Sequence, residues 1–246
     1  MTISAAQVKE LREKTGLGLM DCKKALEEAN GNMDLAIEEL RKTSGVKASK
    51  KSGRSAADGL VGIVVNGQAR FMIEVNCETD FVARDESYIQ FTEETLKTYA
   101  NNSEKNLEQL LEEGVEANRE KLVQKLGENI VVRRVARTVD SAVTGSYLHS
   151  NKKIGCLVSL EGGSESLAND IAMHAAATDP MAVSPDDIPK DIVDKEREIF
   201  KAQSEDSGKP PEIVEKMIEG KVSKFLSEVS LTEQDFVKDP NQKISK

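Results

Sequence analysis

Long apolar runs are missing from this chain of 246 residues. Nowhere do about 18 consecutive apolar side chains occur, so a helical membrane span is not expected. The opening Met1-Thr2-Ile3-Ser4 lacks a basic segment leading into an apolar one, which argues against secretion. Cysteine is scarce: Cys22, Cys77 and Cys156 lie far apart, odd in number and without a Cys-x-x-Cys pair, as in a reduced, cytoplasmic protein. The histidines are His149 and His174, and no two of these three thiols and two histidines fall at finger-like or same-helix spacing, so a metal site is not expected, and no cofactor is expected either. Positive charge is in deficit, with 34 Lys and Arg against 43 Asp and Glu for a net −9, which argues against broad attraction to nucleic-acid backbones while leaving room for a local basic patch.

What is present is a sequence of short periodic segments. Ser4 with Gln7 forms a capping-box pattern ahead of Val8 and Leu11. Cys22, Ala25, Leu26 and Ala29 give a second helical stripe, and Asn32 caps a third carrying Leu35, Ala36, Ile37 and Leu40. This reads as a three-helix bundle over 1–45, similar to ubiquitin-associated domains. A unit so small leaves Leu17, Leu19 and Met20 either as apolar surface for a partner or as closure of its own core. Arg41, Lys42, Lys47, Lys50, Lys51 and Arg54 follow with no acid among them, interleaved with Ser and Gly, and 46–55 reads as a solvated basic linker. Gly45 with Lys50-Lys51-Ser52 imitates a phosphate-binding loop, but Lys50 stands where the second glycine belongs and no strand precedes it.

From Gly59 the period becomes that of strands. Leu60 to Val65, a turn at Asn66-Gly67 and Phe71 to Val75 predict a hairpin. Helical stripes follow from Tyr88 to Tyr99 and from Leu107 to Val123, Gly127 supplies a terminating cap, and Ile130 to Val139 reads as a third strand. A similar order returns with strands at Gly145 to His149 and Ile154 to Leu160 and a helix from about Ser164 to Ala177. Stripes through Ile192, Ile199 and Phe200, then Val214, Met217, Ile218 and Phe225, flank Ser207-Gly208-Lys209-Pro210-Pro211 as an antiparallel helical hairpin. Its apolar heptads are too few for a long dimeric coiled coil. Val229 to Val237 is expected to return to the second sheet. The fold class is therefore α+β: the bundle, a core whose first half spans 56–140 and whose second spans 141–179 with 229–246, duplicating small antiparallel sheets, and the hairpin inserted over 180–228.

The most informative stretch runs from Phe71 to Arg84, where a β-type run stops at an acid-flanked aromatic just as a helix should begin. Thr79 can cap that helix. The stripe of Tyr88, Phe91, Thr95, Leu96 and Tyr99 does not take in Phe81, which therefore either points outward or serves as an ordinary core residue or hydrophobic staple. Cys77 is a poor nucleophile candidate, since Glu78 and Asp80 are expected to raise its thiol pKa.

Glu78-Thr79-Asp80-Phe81-Val82-Ala83-Arg84-Asp85 closely resembles the signature of the elongation factor Ts family, which releases nucleotide from the GTPase elongation factor Tu. The resemblance also takes in Leu11 to Leu26, Gly127-Glu128-Asn129-Ile130, Ile171 to Ala176, Ser207 to Pro210 and Phe225 to Leu231, in family order. It implies an exchange factor with no active site of its own, acting on GDP-bound and nucleotide-free elongation factor Tu, with no direct nucleic-acid or membrane partner. It further implies partner contacts by Thr79, Asp80, Phe81 and Val82, by Leu126 and Gly127, by Leu19 and Met20, and by His149, with Asp80 and Phe81 wedged against helices beside the magnesium site. The family continues beyond Phe236-Val237 with a helix, a strand and a terminal helical module, so the second core half is expected to be unfinished at Lys246. Rival readings are a peptide-capturing interaction module and an α+β enzyme using Cys77 or His174.

Overall fold

The computed structural model describes residues 3–138, 143–204 and 210–246. The chain is α+β and divides into two compact units, Met1–Gly162 and Gly163–Lys246.

In the first unit, α1 (Ala5–Thr15), α2 (Leu19–Glu28) and α3 (Met33–Lys51) form the helical amino end. The Ser4 hydroxyl accepts from Gln7 N at 3.2 Å while the Gln7 side chain accepts from Ser4 N at 3.0 Å, completing the capping box. Asn32 caps α3 by accepting from Leu35 N. Val8, Leu11, Leu17, Cys22, Leu26 and Leu40 make a miniature core. Leu17 thus closes that core, whereas Leu19 and Met20 stay exposed.

The basic stretch is helical over much of its length, because α3 continues through it to Lys51. Ser44, Gly45 and Ala48 are the small residues of a close helix contact with α7 (Glu116–Leu126). Ser44 and Ala48 are buried, and a Cβ at Gly45 would lie 3.1 Å from Glu120 Oε1. Asp21 fastens this junction, accepting from Lys47 Nζ at 2.9 Å and from Gln124 Nε2 at 3.1 Å. The composition that reads as a flexible spacer is what lets α3 approach α7.

The first sheet has the antiparallel order β1 (Asp58–Asn66), β2 (Ala69–Cys77), β3 (Val131–Arg137). Asn66 pairs with Ala69, so the two-residue turn is Gly67-Gln68, one position beyond the expected Asn66-Gly67. Val139, expected in the third strand, lies outside the described residues. Phe71, Ile73 and Val75 of β2 pack with Tyr88, Phe91, Leu96 and Tyr99 of α5 (Glu86–Asn101), and Leu122 and Val123 of α7 close the same core. The stripe expected from Leu107 to Val123 is broken: α6 (Leu107–Leu110) runs into a wide turn at Leu111–Val115, where Gly114 takes φ 87°, before α7 begins. Strands β4 (Val143–Leu148) and β5 (Gly155–Leu160) form a second, two-stranded sheet. It is tied to the first by Val61 N donating to Lys152 O at 2.7 Å and by Thr144 Oγ1 donating to Gln68 O at 2.8 Å.

The second unit holds α8 (Glu165–Thr178), capped by Ser164, and the helical hairpin of α9 (Lys190–Ala202) and α10 (Pro211–Val229), braced by an Arg197–Glu219 ion pair. Ser207-Gly208-Lys209, expected at its tip, lies outside the described residues. The segment Val229 to Val237 does not return to the second sheet. Instead α10 persists to Val229, Ser230 bridges Ala182, and β6 (Asp235–Phe236) pairs with β7 (Asp239–Lys243) in a ribbon of their own. Met181 N donates to Val229 O and Leu231 N to Ala182 O, so the backbone groups that a sheet would use are satisfied locally. Among the described residues no helix is long and apolar enough to cross a membrane.

Candidate functional site

Strand β2 ends at Cys77, whose buried thiol donates to Thr79 O at 3.1 Å, and the chain then turns into a single-turn helix, α4 (Asp80–Ala83). Thr79 caps this turn, its hydroxyl accepting from Val82 N at 3.4 Å. The helix stops at Arg84. Asp85 starts α5 afresh by accepting from Ser87 N and Tyr88 N. Because α4 is a separate turn, Phe81 has no place on the buried stripe of α5. Its ring is 83 % exposed, while Val82 and Ala83 beneath it are 9 % and 3 % exposed. Val82, expected at the contact surface, packs inward beneath the ring in the free chain, because successive residues of one helical turn cannot all face outward. Asp80 stays accessible and accepts from Arg84 Nη2 at 2.9 Å across that turn.

The corner is held from behind by the segment that follows α7. Glu128 Oε2 accepts from both Glu78 N and Thr79 N at 3.0 Å, and Glu128 Oε1 accepts from the Thr79 hydroxyl at 2.6 Å. Glu78 answers reciprocally, its Oε1 accepting from Asn129 N at 2.6 Å. Hydrogen bonds to a charged acceptor are each worth about 1.5–3 kcal/mol, so this crossed pair holds the corner more firmly than its few residues could alone. Gly127 ends α7 with φ 82°, and its N–H donates to Val123 O. Gly127 O accepts from Lys51 Nζ, while buried Asn129 donates from Nδ2 to Ser52 O and Arg54 O. Leu126 packs half-buried against the first core. Thr79, Asp80 and Phe81 are thus joined through Glu128 to Leu126 and Gly127, and through Lys51 to the end of α3.

Glu78, Glu128, Asn129 and Lys51 carry no local signal of this role. The clamp joins residues about fifty positions apart, and short-range periodicity does not report such a contact. Leu19 and Met20 open α2 with 52 % and 71 % exposure, and Asp21 beside them is bonded to Lys47 of α3 and Gln124 of α7, so they share the corner's scaffold. His149 accepts or donates at Nδ1 with the Tyr147 hydroxyl at 3.0 Å, in the turn between β4 and β5. That turn reaches the corner's end of the first sheet: Lys153 Nζ donates to Asp58 Oδ1 at 2.6 Å, and Asp58 pairs in register with Cys77.

The residues of the enzyme reading are placed differently. Burial pushes the Cys77 thiol up to about 11, with the Glu128 and Asp58 carboxylates adding to it. The expected contributors, Glu78 and Asp80, are replaced by these because Glu78 turns its side chain to Asn129 N and Asp80 faces solvent and Arg84. His174 is fully buried in the second unit; Nδ1 accepts from Val237 N at 3.3 Å, so Nε2 carries the proton it shares with Gln234 Oε1 at 2.9 Å. Both ring nitrogens are occupied by structure. Among the described residues no group of three or more His, Cys, Asp or Glu side chains converges as a metal cage.

The family model described as Elongation factor TS matches residues 78–246, beginning at the corner itself. Curated relatives named elongation factor Ts are similar over nearly the whole chain. The Marinobacter nauticus protein is 54% identical over 98% of this chain and 84% of its own length, that of Hahella chejuensis 53% over 98% and 85%, and that of Cellvibrio japonicus 51% over 99% and 84%. Family model and relatives agree: the chain belongs to the elongation factor Ts family, whose role is nucleotide exchange in translation elongation.

Proposed function

We propose that this chain binds elongation factor Tu in the cytoplasm and drives GDP release by pressing Phe81 into a crevice of the partner beside its magnesium and phosphate site. The observation that carries the reading is an aromatic ring 83 % exposed on a turn held by charge-assisted hydrogen bonds. A GTPase holds GDP through phosphate-cradling amides and a Mg²⁺ ion with strict octahedral demands, so small displacements of the surrounding helices weaken the nucleotide strongly. The factor therefore need not touch the nucleotide, and it needs no covalent step or cofactor.

Burying the Phe81 ring makes roughly 2–3 kcal/mol available, which corresponds to about a hundredfold in affinity. Asp80, held at the same turn, orients the approach by hydrogen bonding or ion pairing. Thr79 caps and holds the turn. Further coupling comes from Leu126 and Gly127 beside the corner, from Leu19 and Met20 on α2, and from His149. Both GDP-bound and nucleotide-free forms of the partner are bound, because coupling is reciprocal: whatever factor weakens GDP in the complex weakens this chain's grip when GDP returns.

Stopped-flow release of labelled GDP from elongation factor Tu tests the reading. Release accelerating with added chain and reversed complex formation at high GDP support it; release at the spontaneous rate at every concentration would falsify it.

A further inference from the structure

We infer that Glu128 is a positioning residue for exchange, acting through Phe81 without touching the partner; the inference rests on the wedge reading above. Glu128 is half-buried behind the corner, and its carboxylate spends both oxygens on it: Oε2 on the two consecutive amides of Glu78 and Thr79, Oε1 on the Thr79 hydroxyl. That hydroxyl is also the helix cap, since it accepts from Val82 N. Donating its proton to Glu128 fixes the hydroxyl's rotation and leaves its lone pair aimed at Val82 N. One carboxylate thus sets both the direction in which the chain leaves β2 and the first turn of α4, which carries Phe81 one residue beyond Asp80.

Val82 and Ala83 anchor the inner side of the turn in the core, but its entry from β2 rests on Glu128. Four residues form α4, too few for a helix to be stable by itself, and the exposed ring adds little packing of its own. Without Glu128 two adjacent amides and the cap lose their acceptor, and the turn is left to fray. A wedge on a fraying turn can still dock, but it transmits less of its binding to the partner's nucleotide site. The loss therefore belongs in the maximal release rate more than in the concentration needed for half-saturation.

The test is a double-mutant cycle on the full chain, read by stopped-flow GDP release from elongation factor Tu at saturating factor. Glu128→Ala is expected to lower the maximal rate roughly tenfold, with half-saturation within about twofold and the folded circular-dichroism spectrum retained. Glu128→Gln, whose amide oxygen can accept from both backbone N–H groups while its NH2 donates to Thr79 Oγ1, is expected to recover to within about threefold of wild type. In a Phe81→Ala background Glu128→Ala is expected to cost nothing further, which a merely stabilising side chain would not show. Folded Glu128→Ala with the wild-type maximal rate overturns the assignment, as does an undiminished loss in the Phe81→Ala background. Should Glu128→Ala not fold, Glu128→Asp, which draws the carboxylate back by one methylene, is read in the same cycle by the same criteria. The wild type and Phe81→Ala run alongside separate the two levels: a wild type that releases no GDP removes the wedge reading, whereas impaired Phe81→Ala beside unimpaired Glu128→Ala removes only the role of Glu128.

Discussion

Phe81 and Cys77 stand four positions apart and have opposite fates. The thiol ends a central strand, points into the core and meets the Thr79 carbonyl. The ring sits on a turn whose inner positions are already taken by Val82 and Ala83. Burial raises the Cys77 pKa to about 11, so below that pH the group is a neutral thiol and a weak nucleophile. Thiol titration with a disulfide reagent at pH 7.5 should find Cys77 protected in the native protein and freed by denaturant, with native reactivity rising as the pH climbs toward 11. Rapid native labelling at neutral pH would contradict this placement. The outward ring was half legible in the sequence: periodicity could show that Phe81 misses the α5 stripe, but not that Arg84 and Asp85 break the helix. That break leaves the ring outside. Resemblance marks Val82 together with its whole segment, whereas burial is decided residue by residue around a turn.

Among the elements, capping and alternation made most of the architecture readable. Ser4, Asn32, Thr79, Ser164 and Gly127 cap helices as their chemistry predicts, and the Asn66–Ala69 turn sets the hairpin register. The failure was α3, where Ser44, Gly45 and Ala48 look like spacer composition and are instead the small face against α7. The junction they form has an electrostatic marker. Burial alone would raise the Asp21 carboxyl, but hydrogen bonds from Lys47 and Gln124, with the Lys47 charge, hold it below the ordinary 3.8. A depressed folded-state pKa gives stability that is complete above the unfolded value and lost as the pH falls through the folded one. Asp21→Asn should therefore cost roughly 0.5–1 kcal/mol at pH 7, and by the same amount down to about pH 5. The gap from wild type should close only below 3.8. Thermal melts across pH check this, and a gap that widens in acid would refute it.

At the scale of the molecule the chain makes two compact units, each with its own polar anchor. In the second, His174 links α8 to the segment after α10: Gln234 bonds its Nε2, Val237 N bonds its Nδ1, and Thr178 Oγ1 donates to the same Gln234 oxygen at 2.9 Å. Removing the ring strands a backbone N–H and opens a cavity, a loss of about 2–4 kcal/mol. Calorimetry of His174→Ala should show one transition moved down, assigned to 163–246, with the unfolding of 1–162 unchanged; a single transition shifted as a whole would contradict the division. This level was the least readable in advance. The sequence reading places Val229 to Val237 as a strand returning to the second sheet, yet Ser230 and Leu231 find backbone partners at Ala182, and among the described residues the strand that follows pairs with β7.

The wedge itself is tested most directly by the maximal rate at which Phe81→Ala releases labelled GDP from elongation factor Tu, with the variant's fold verified by its melting curve. A ring so exposed contributes little to the chain's own stability, so the melt should match wild type while release slows by about a hundredfold, the equivalent of roughly 2–3 kcal/mol. A folded Phe81→Ala that releases GDP as fast as wild type would contradict the central claim.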